Sequence, residues 1–221
     1  MWYWLIVMVG IIFLFYCLLP NYWARNYSAE VFRTGSENTA HIALTFDDGP
    51  NPLYTGRLLD ILKEFGISAT FFVVGKQASR YPHLIRRMKS EGHTVGCHSL
   101  SHRHAWLMLP CRTYKDIQTA YEIVKKELGY PPRWYRPPWG MFNLLSMKAA
   151  KKLDLYPAYW SIEAQDWDAE TTVEHIYNTV VSKAGPGSII VLHDNGGAPG
   201  APEKTLQALP SIIDTLQKKG Y

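Results

Sequence analysis

Beyond a long apolar N-terminal run, the hydrophobic positions of the chain repeat a pattern. A short run rich in β-branched and aromatic residues is followed by a stretch whose apolar positions recur every three to four residues. The runs 42–46 (IALTF), 69–74 (ATFFVV), 94–97 (TVGC), 133–135 (RWY), 157–162 (PAYWSI) and 188–192 (SIIVL) read as strands. Helices are expected near 55–65, 81–91, 113–128, 144–153, 171–184 and 203–219. Leu58, Leu59, Ile61, Leu62 and Phe65 form the apolar stripe of the first, and Gly66, Gly92, Gly129 and Gly185 stand just past helix ends. Repeated βα units imply an α/β fold, either a parallel sheet covered on both faces or a (β/α) barrel.

Polar residues fall at particular points of this pattern. Asp47 and Asp48 follow the first strand, His98 follows TVGC, Arg136 follows RWY, Asp166 lies just beyond PAYWSI, and His193 follows IIVL. All sit at the C-terminal ends of strands, the face on which (β/α) barrels build their sites. Five segments are therefore expected to converge on one mouth.

The N-terminus predicts a separate element. Residues 2–19 contain no charged group, and Trp2, Tyr3, Trp4, Tyr22 and Trp23 crowd the two ends. At the helical rise this run covers roughly 27 Å, about the thickness of a hydrocarbon core. No basic segment precedes it and no A-x-A follows, so an uncleaved single-pass anchor over 1–23 is expected in preference to a cleaved signal. A polar linker over 24–40 and a domain over 41–221 complete the expected organisation. Arg25 and Arg33 follow the span, which on charge alone faintly favours a cytoplasmic body.

Charge and cysteine content narrow the class. The balance of 23 Lys+Arg against 19 Asp+Glu leaves +4 without a long basic run, so no nucleic-acid partner is expected. Cys17, Cys97 and Cys111 make no disulfide framework; a Cys97–Cys111 bridge is conceivable, but two buried free thiols are expected.

The sequence HSLSH at 98–102 places two imidazoles four residues apart, close enough to share a metal. With a carboxylate from another strand end, two His and one Asp make a catalytic zinc set that leaves a position for water. In DDGP at 47–50, Gly49 and Pro50 end the strand, so the adjacent acids can face one mouth with different tasks. Asp48 would complete the metal set with His98 and His102. Asp47 would be the base, oriented by Arg136. Taken alone, DDG is as readily a turn acid and a helix cap. His193 could act as general acid with Asp166 as its orienting carboxylate, although each by itself is compatible with an ordinary loop or capping role. His41, His83, His93, His104 and His175 lack a partner at ligand spacing and read as structural or exposed. Trp106, Trp139 and Trp167 lie next to the proposed site residues, where flat rings suit a sugar's apolar face.

These residues resemble the polysaccharide deacetylases with the NodB homology domain, carbohydrate esterase family 4. The likeness runs from about 40 to 220 through TFDDGP (45–50), HSLSH (98–102), RPPWG (136–140), QDWD (165–168) and VLHD (191–194). It implies a distorted (β/α) barrel of the NodB type and metal-dependent removal of acetyl groups from N-acetylated sugars of peptidoglycan or chitin-like glycans. It implies Asp47 as base, Asp48, His98 and His102 as ligands of a divalent metal, zinc first with cobalt, nickel or manganese as alternatives, and His193 as acid. Arg136 would position Asp47, Asp166 would tether His193, Leu192 would line the acetyl pocket, and a backbone N–H near Trp139 would help hold the oxyanion. Trp139 and Trp167 are expected to contact substrate; Trp139 stands where the family often has Tyr. Hydrolysis of another non-peptide amide and non-catalytic glycan binding are the alternatives. Since cell-wall glycan lies outside the cell, the implied function places the domain extracytoplasmically, against the weak charge signal.

Overall fold

A computed structural model describes residues 2–221. Seven parallel strands form one sheet: β1 (Ala43–Asp47), β2 (Thr70–Val73), β3 (Thr94–Cys97), β4 (Trp134–Tyr135), β5 (Tyr156–Pro157), β6 (Ile162–Glu163) and β7 (Ile189–His193), in the order β5-β4-β3-β2-β1-β7-β6. β1 is central, paired in register with β2 (Asp47 opposite Phe72) and β7 (Asp47 opposite His193). That pairing brings the ends of the first and last long strands level.

The run 157–162, expected as one strand, is two. Its halves, β5 and β6, lie at opposite edges of the sheet. Only Ala158–Ser161 joins them, so the edges approach within about 18 Å, the reach of an extended chain of that length. The sheet is therefore curled into a distorted, incompletely closed barrel. Phe32 covers the β5 side, donating its N–H to Pro157 and accepting from the Tyr159 N–H (2.8 and 2.7 Å). This protects an edge that would otherwise present unpaired backbone groups.

Helices pack on the outside: α3 (Thr55–Glu64), α4 (Gly75–Arg80), α5 (Pro82–Ser90), α6 (Pro110–Leu128), α7 (Leu144–Lys152), α8 (Val173–Lys183) and α9 (Ala201–Lys218). Pro82 and Pro110 open α5 and α6, where a missing N–H costs nothing, and Asn143 closes a capping box with Ser146 at the start of α7. Alternation along the strands sorts the side chains. Leu44, Phe46, Phe71, Val73, Ile190 and Leu192 join the helix-side core with Leu58, Leu62, Leu209 and Ile212, and are buried. Thr45, Asp47, Val191 and His193 take the other parity and face the barrel interior.

The N-terminal helix runs continuously over Trp2–Asn26, as α1 (Trp2–Phe13), a π-helical turn (Leu14–Leu18) and α2 (Leu19–Asn26). It is long and apolar enough to cross a membrane. Residues beyond it, expected as a polar linker, are ordered: Arg33 donates to the carbonyls of Ala24, Arg25, Ser28 and Val31, and Phe32 pairs beside β5. Cys97 is buried and free as expected, whereas Cys111 is exposed on α6. The two are unbridged, with Cys97, the last residue of β3, packed in the core.

Candidate active site

The two adjacent acids face one cleft because the chain leaves β conformation between them. Asp47 is the last residue of β1, and Asp48 has φ of 75°. That left-handed conformation breaks the strand alternation, which would have sent the side chains to opposite faces. His102, at φ 52°, and Trp139, at φ 54°, are held in the same uncommon region. Strained backbone thus gathers around the cleft.

Asp48 Oδ1 lies 2.9 Å from His102 Nε2 and 3.2 Å from His98 Nε2. One donor atom from each of the three residues lies within 4.8 Å of the other two. His98 Nδ1 donates to the Arg136 carbonyl (2.7 Å), which leaves Nε2 of the neutral ring as the lone-pair nitrogen aimed at Asp48. Burial alone would raise the Asp48 pKa, but the two imidazoles beside it override this and hold the carboxyl far below the usual range. Asp48 Oδ1 is buried without a hydrogen-bond partner among the described residues. Two imidazoles and a carboxylate around an unsatisfied oxygen fit a divalent cation.

Asp47 has other neighbours. Arg136, fully buried, donates from Nη1 to Asp47 Oδ1 (2.6 Å) and to Thr45 Oγ1 (2.8 Å), and from Nη2 to the Tyr159 carbonyl (3.0 Å). Its guanidinium lies over the Phe72 ring at 4.1 Å. Burial lowers its pKa, opposed by the charge and hydrogen bond of Asp47. Asp47 Oδ2 is left facing His98 Nε2 at 3.9 Å.

Across the cleft, His193 Nδ1 is 2.8 Å from Asp166 Oδ1, and the His193 backbone N–H donates to Asp166 Oδ2 (2.7 Å). Thr205 on α9 donates to the same oxygen (2.7 Å). Burial disfavours the imidazolium, but Asp166, with smaller contributions from Asp48 and Asp47, outweighs it and pushes the His193 pKa up to about 10. The cleft between these groups has a volume of about 550 Å³ and is also bordered by Arg25, Trp139, Tyr159, Trp160 and Trp167.

The family model for polysaccharide deacetylases matches residues 34–158. The chain belongs to the polysaccharide deacetylase family. A peptidoglycan-N-acetylglucosamine deacetylase of Bacillus cereus is 34% identical over 201 residues, covering 91% of this chain and 71% of the relative. A chitooligosaccharide deacetylase of a Bradyrhizobium species is 34% identical over 193 residues, covering 83% of this chain and 87% of the relative. A crystal structure of a peptidoglycan N-acetylglucosamine deacetylase superposes with a TM-score of 0.82 at 33% identity, covering 90% of each chain.

In this deacetylase-family chain the cleft collects Asp47, Asp48, His98, His102, Arg136, Asp166 and His193, with Trp139 and Trp167 at its rim. Trp139 leans over His102 with ring centroids 4.3 Å apart. Leu192 does not line the cleft. It is fully buried in the helix-side core, and its neighbour Val191 borders the cleft instead, because Val191 and His193 share a parity that Leu192 does not.

Several supporting residues escape sequence reasoning. Asp194, next to His193 in VLHD, is buried beneath Gly49, with Thr55 donating to it; burial pushes its carboxyl up to about 7. Gly196 has φ of 73°, and a Cβ there would sit 2.5 Å from Asp48 Oδ2. Gly196 lies outside every motif, and only the fold shows which carboxylate it abuts. Arg25, Tyr159 and Trp160 carried no motif at all.

Proposed function

We propose that the protein hydrolyses the N-acetyl group of N-acetylated sugars in a cell-wall polysaccharide, peptidoglycan or a chitin-like glycan, releasing acetate and the free amine. The observation that carries this reading is the separation of the two neighbouring acids. Asp48 turns to two imidazoles, while Asp47 is clamped by a buried Arg136 with its second oxygen open to the cleft. The enzymes similar to this chain include deacetylases of peptidoglycan and of chitooligosaccharides.

Asp48, His98 and His102 would hold a divalent metal, zinc first, since two imidazoles and one carboxylate suit it; cobalt, nickel and manganese accept the same donors. When bound, such an ion polarises an amide carbonyl and acidifies water at neutral pH. Asp47 takes the proton of the attacking water at Oδ2, because Arg136 occupies Oδ1. Arg136 also holds the carboxylate at one angle, as general-base geometry requires. His193 gives the leaving amine its proton from Nε2, with Asp166 holding Nδ1 and fixing the ring. In the turn at Pro138–Gly140, Gly140 and Met141 donate to Pro137 and Pro138, leaving the Trp139 N–H free to support the developing oxyanion. Trp139 and Trp167 offer flat faces to the sugar.

The N-terminal helix would anchor the chain in the cell membrane, single-pass, with the domain on the extracytoplasmic side where the glycan lies. Acetate release from N-acetylglucosamine oligomers, with and without a chelator, tests the activity. Release that stops with chelator and returns with added zinc supports it; release unaffected by metal removal contradicts it.

A further inference from the structure

The membrane helix and the catalytic cleft meet, and helix length sets how they meet. Contact between the aromatic rings of the helix and the domain begins at Phe13, whose ring meets Trp106 edge-on at 5.5 Å. Tyr16 then pairs with Thr113, Asn21 accepts from the Phe142 N–H, and Cys17, Asn21 and Ala24 are buried on one face. At the last turn, Arg25 donates to the Tyr159 hydroxyl and borders the cleft itself.

Trp2–Ile12, the part ahead of these contacts, covers only about 17 Å, roughly half of a hydrocarbon core. A span of about 20 residues must continue along the docked half to near Asn21. The outward face of that half is suited to lipid: Phe15 is 61% exposed, and Leu14, Leu18, Leu19, Tyr22 and Trp23 are exposed beside it. The neighbouring domain surface matches it. Leu107, 86% exposed, ends the turn that holds Trp106, Leu109 follows it and is exposed, and Leu144 at the start of α7 is exposed as well. These leucines contribute nothing to the core, and they continue the apolar outer surface of the helix.

We infer that the catalytic domain lies against the bilayer, with Leu107 and Leu109 in contact with lipid and the cleft opening at the headgroup layer. Tyr22 and Trp23 form the interfacial belt, and Arg25 lies less than one turn beyond it. Arg25 donates to the Tyr159 hydroxyl and lies over that ring but has no carboxylate within 4.0 Å among the described residues, so its charge is left to meet an anionic group at that depth. A cleft at this height is suited to an acetamido sugar carried on a membrane lipid through a phosphate link, before distal parts of a polymer. This rests on the anchored-hydrolase reading and names the substrate class for it.

The full chain with zinc in lipid vesicles is given one N-acetylglucosamine trisaccharide in three forms: free in solution, phosphate-linked directly to a lipid in the same bilayer, and joined to that lipid through a long polyethylene glycol spacer. Both lipid forms share the confinement to the surface and differ in height. The direct form is expected to be turned over faster by on the order of tenfold. Equal rates, or a preference for the spacer form, overturn the inference. Acetate from none of the three overturns the hydrolase reading instead, and a second measurement then still decides the placement. A fluorophore on L107C in a C111S background is expected to be quenched by nitroxide on lipid chains and shielded from aqueous iodide. The reverse pattern overturns the inference.

Discussion

Arg136 is wholly buried, and among the described residues the carboxylate of Asp47 is the one charge that pairs with it, with Nη1 and Oδ1 2.6 Å apart. The guanidinium also donates to Thr45 and the Tyr159 carbonyl, so it links β1, β4 and the segment that joins the two edges of the sheet. One side chain therefore orients the proposed base and helps to hold the curled sheet at its narrowest connection.

Removing that side chain is expected to cost both stability and activity. Arg136→Met leaves the Asp47 carboxylate buried without a partner, a loss of about 3–5 kcal/mol for a broken buried pair. Arg136→Lys is expected to rescue little, because one ammonium cannot reproduce a fork that serves three acceptors. Urea unfolding of the two variants beside the parent measures this; a lysine variant of parental stability would contradict the assigned fork.

The pairing of His193 with Asp166 predicts a pH effect with a definite sign. His193 must be protonated to act as an acid, and its folded pKa is raised, up to about 10, above the ordinary value near 6.5. Its stabilising contribution is therefore complete below the unfolded pKa and is lost as pH rises through the folded one. Asp166→Asn removes the main source of the rise, so the alkaline limb of kcat/KM should move to lower pH. The stability advantage on the neutral-to-alkaline side should shrink with it. An alkaline limb unchanged in Asp166→Asn would show that another group is the acid.

Gly196 offers a way to disturb the metal set without touching a ligand. A methyl group there meets Asp48 Oδ2, and the backbone at φ 73° already disfavours any side chain. Gly196→Ala is expected to weaken metal binding by about 10–100-fold, the usual scale for disturbing groups that orient ligands. Metal titration by calorimetry reads it; an affinity equal to the parent's would mean Asp48 is free to move.

Much of the site was legible because chemistry-bearing residues sit where β-type runs stop, and parallel βα repeats place all such points on one face. The pairing of Asp47 opposite His193 in the register of β1 and β7 is that logic realised. Leu192 failed on parity: proximity to His193 in sequence places it one residue out of phase, on the helix side. The run 157–162 looked continuous because both halves are apolar and aromatic, but hydrophobicity alone does not say which edge each half joins. Arg25, Tyr159 and Asp194 act through neighbours distant in sequence, and no local pattern announces such contacts.

The division of labour between Asp47 and Asp48 is tested most directly by measuring metal content and acetate release together in Asp47→Asn and Asp48→Asn. Asp47→Asn should retain bound metal at the parental stoichiometry while turnover falls by about 10²–10⁴, the usual contribution of a positioned base. Asp48→Asn should lose both. An Asp47→Asn protein that releases acetate at the parental rate, or that loses its metal while Asp48→Asn keeps it, would contradict the assignment.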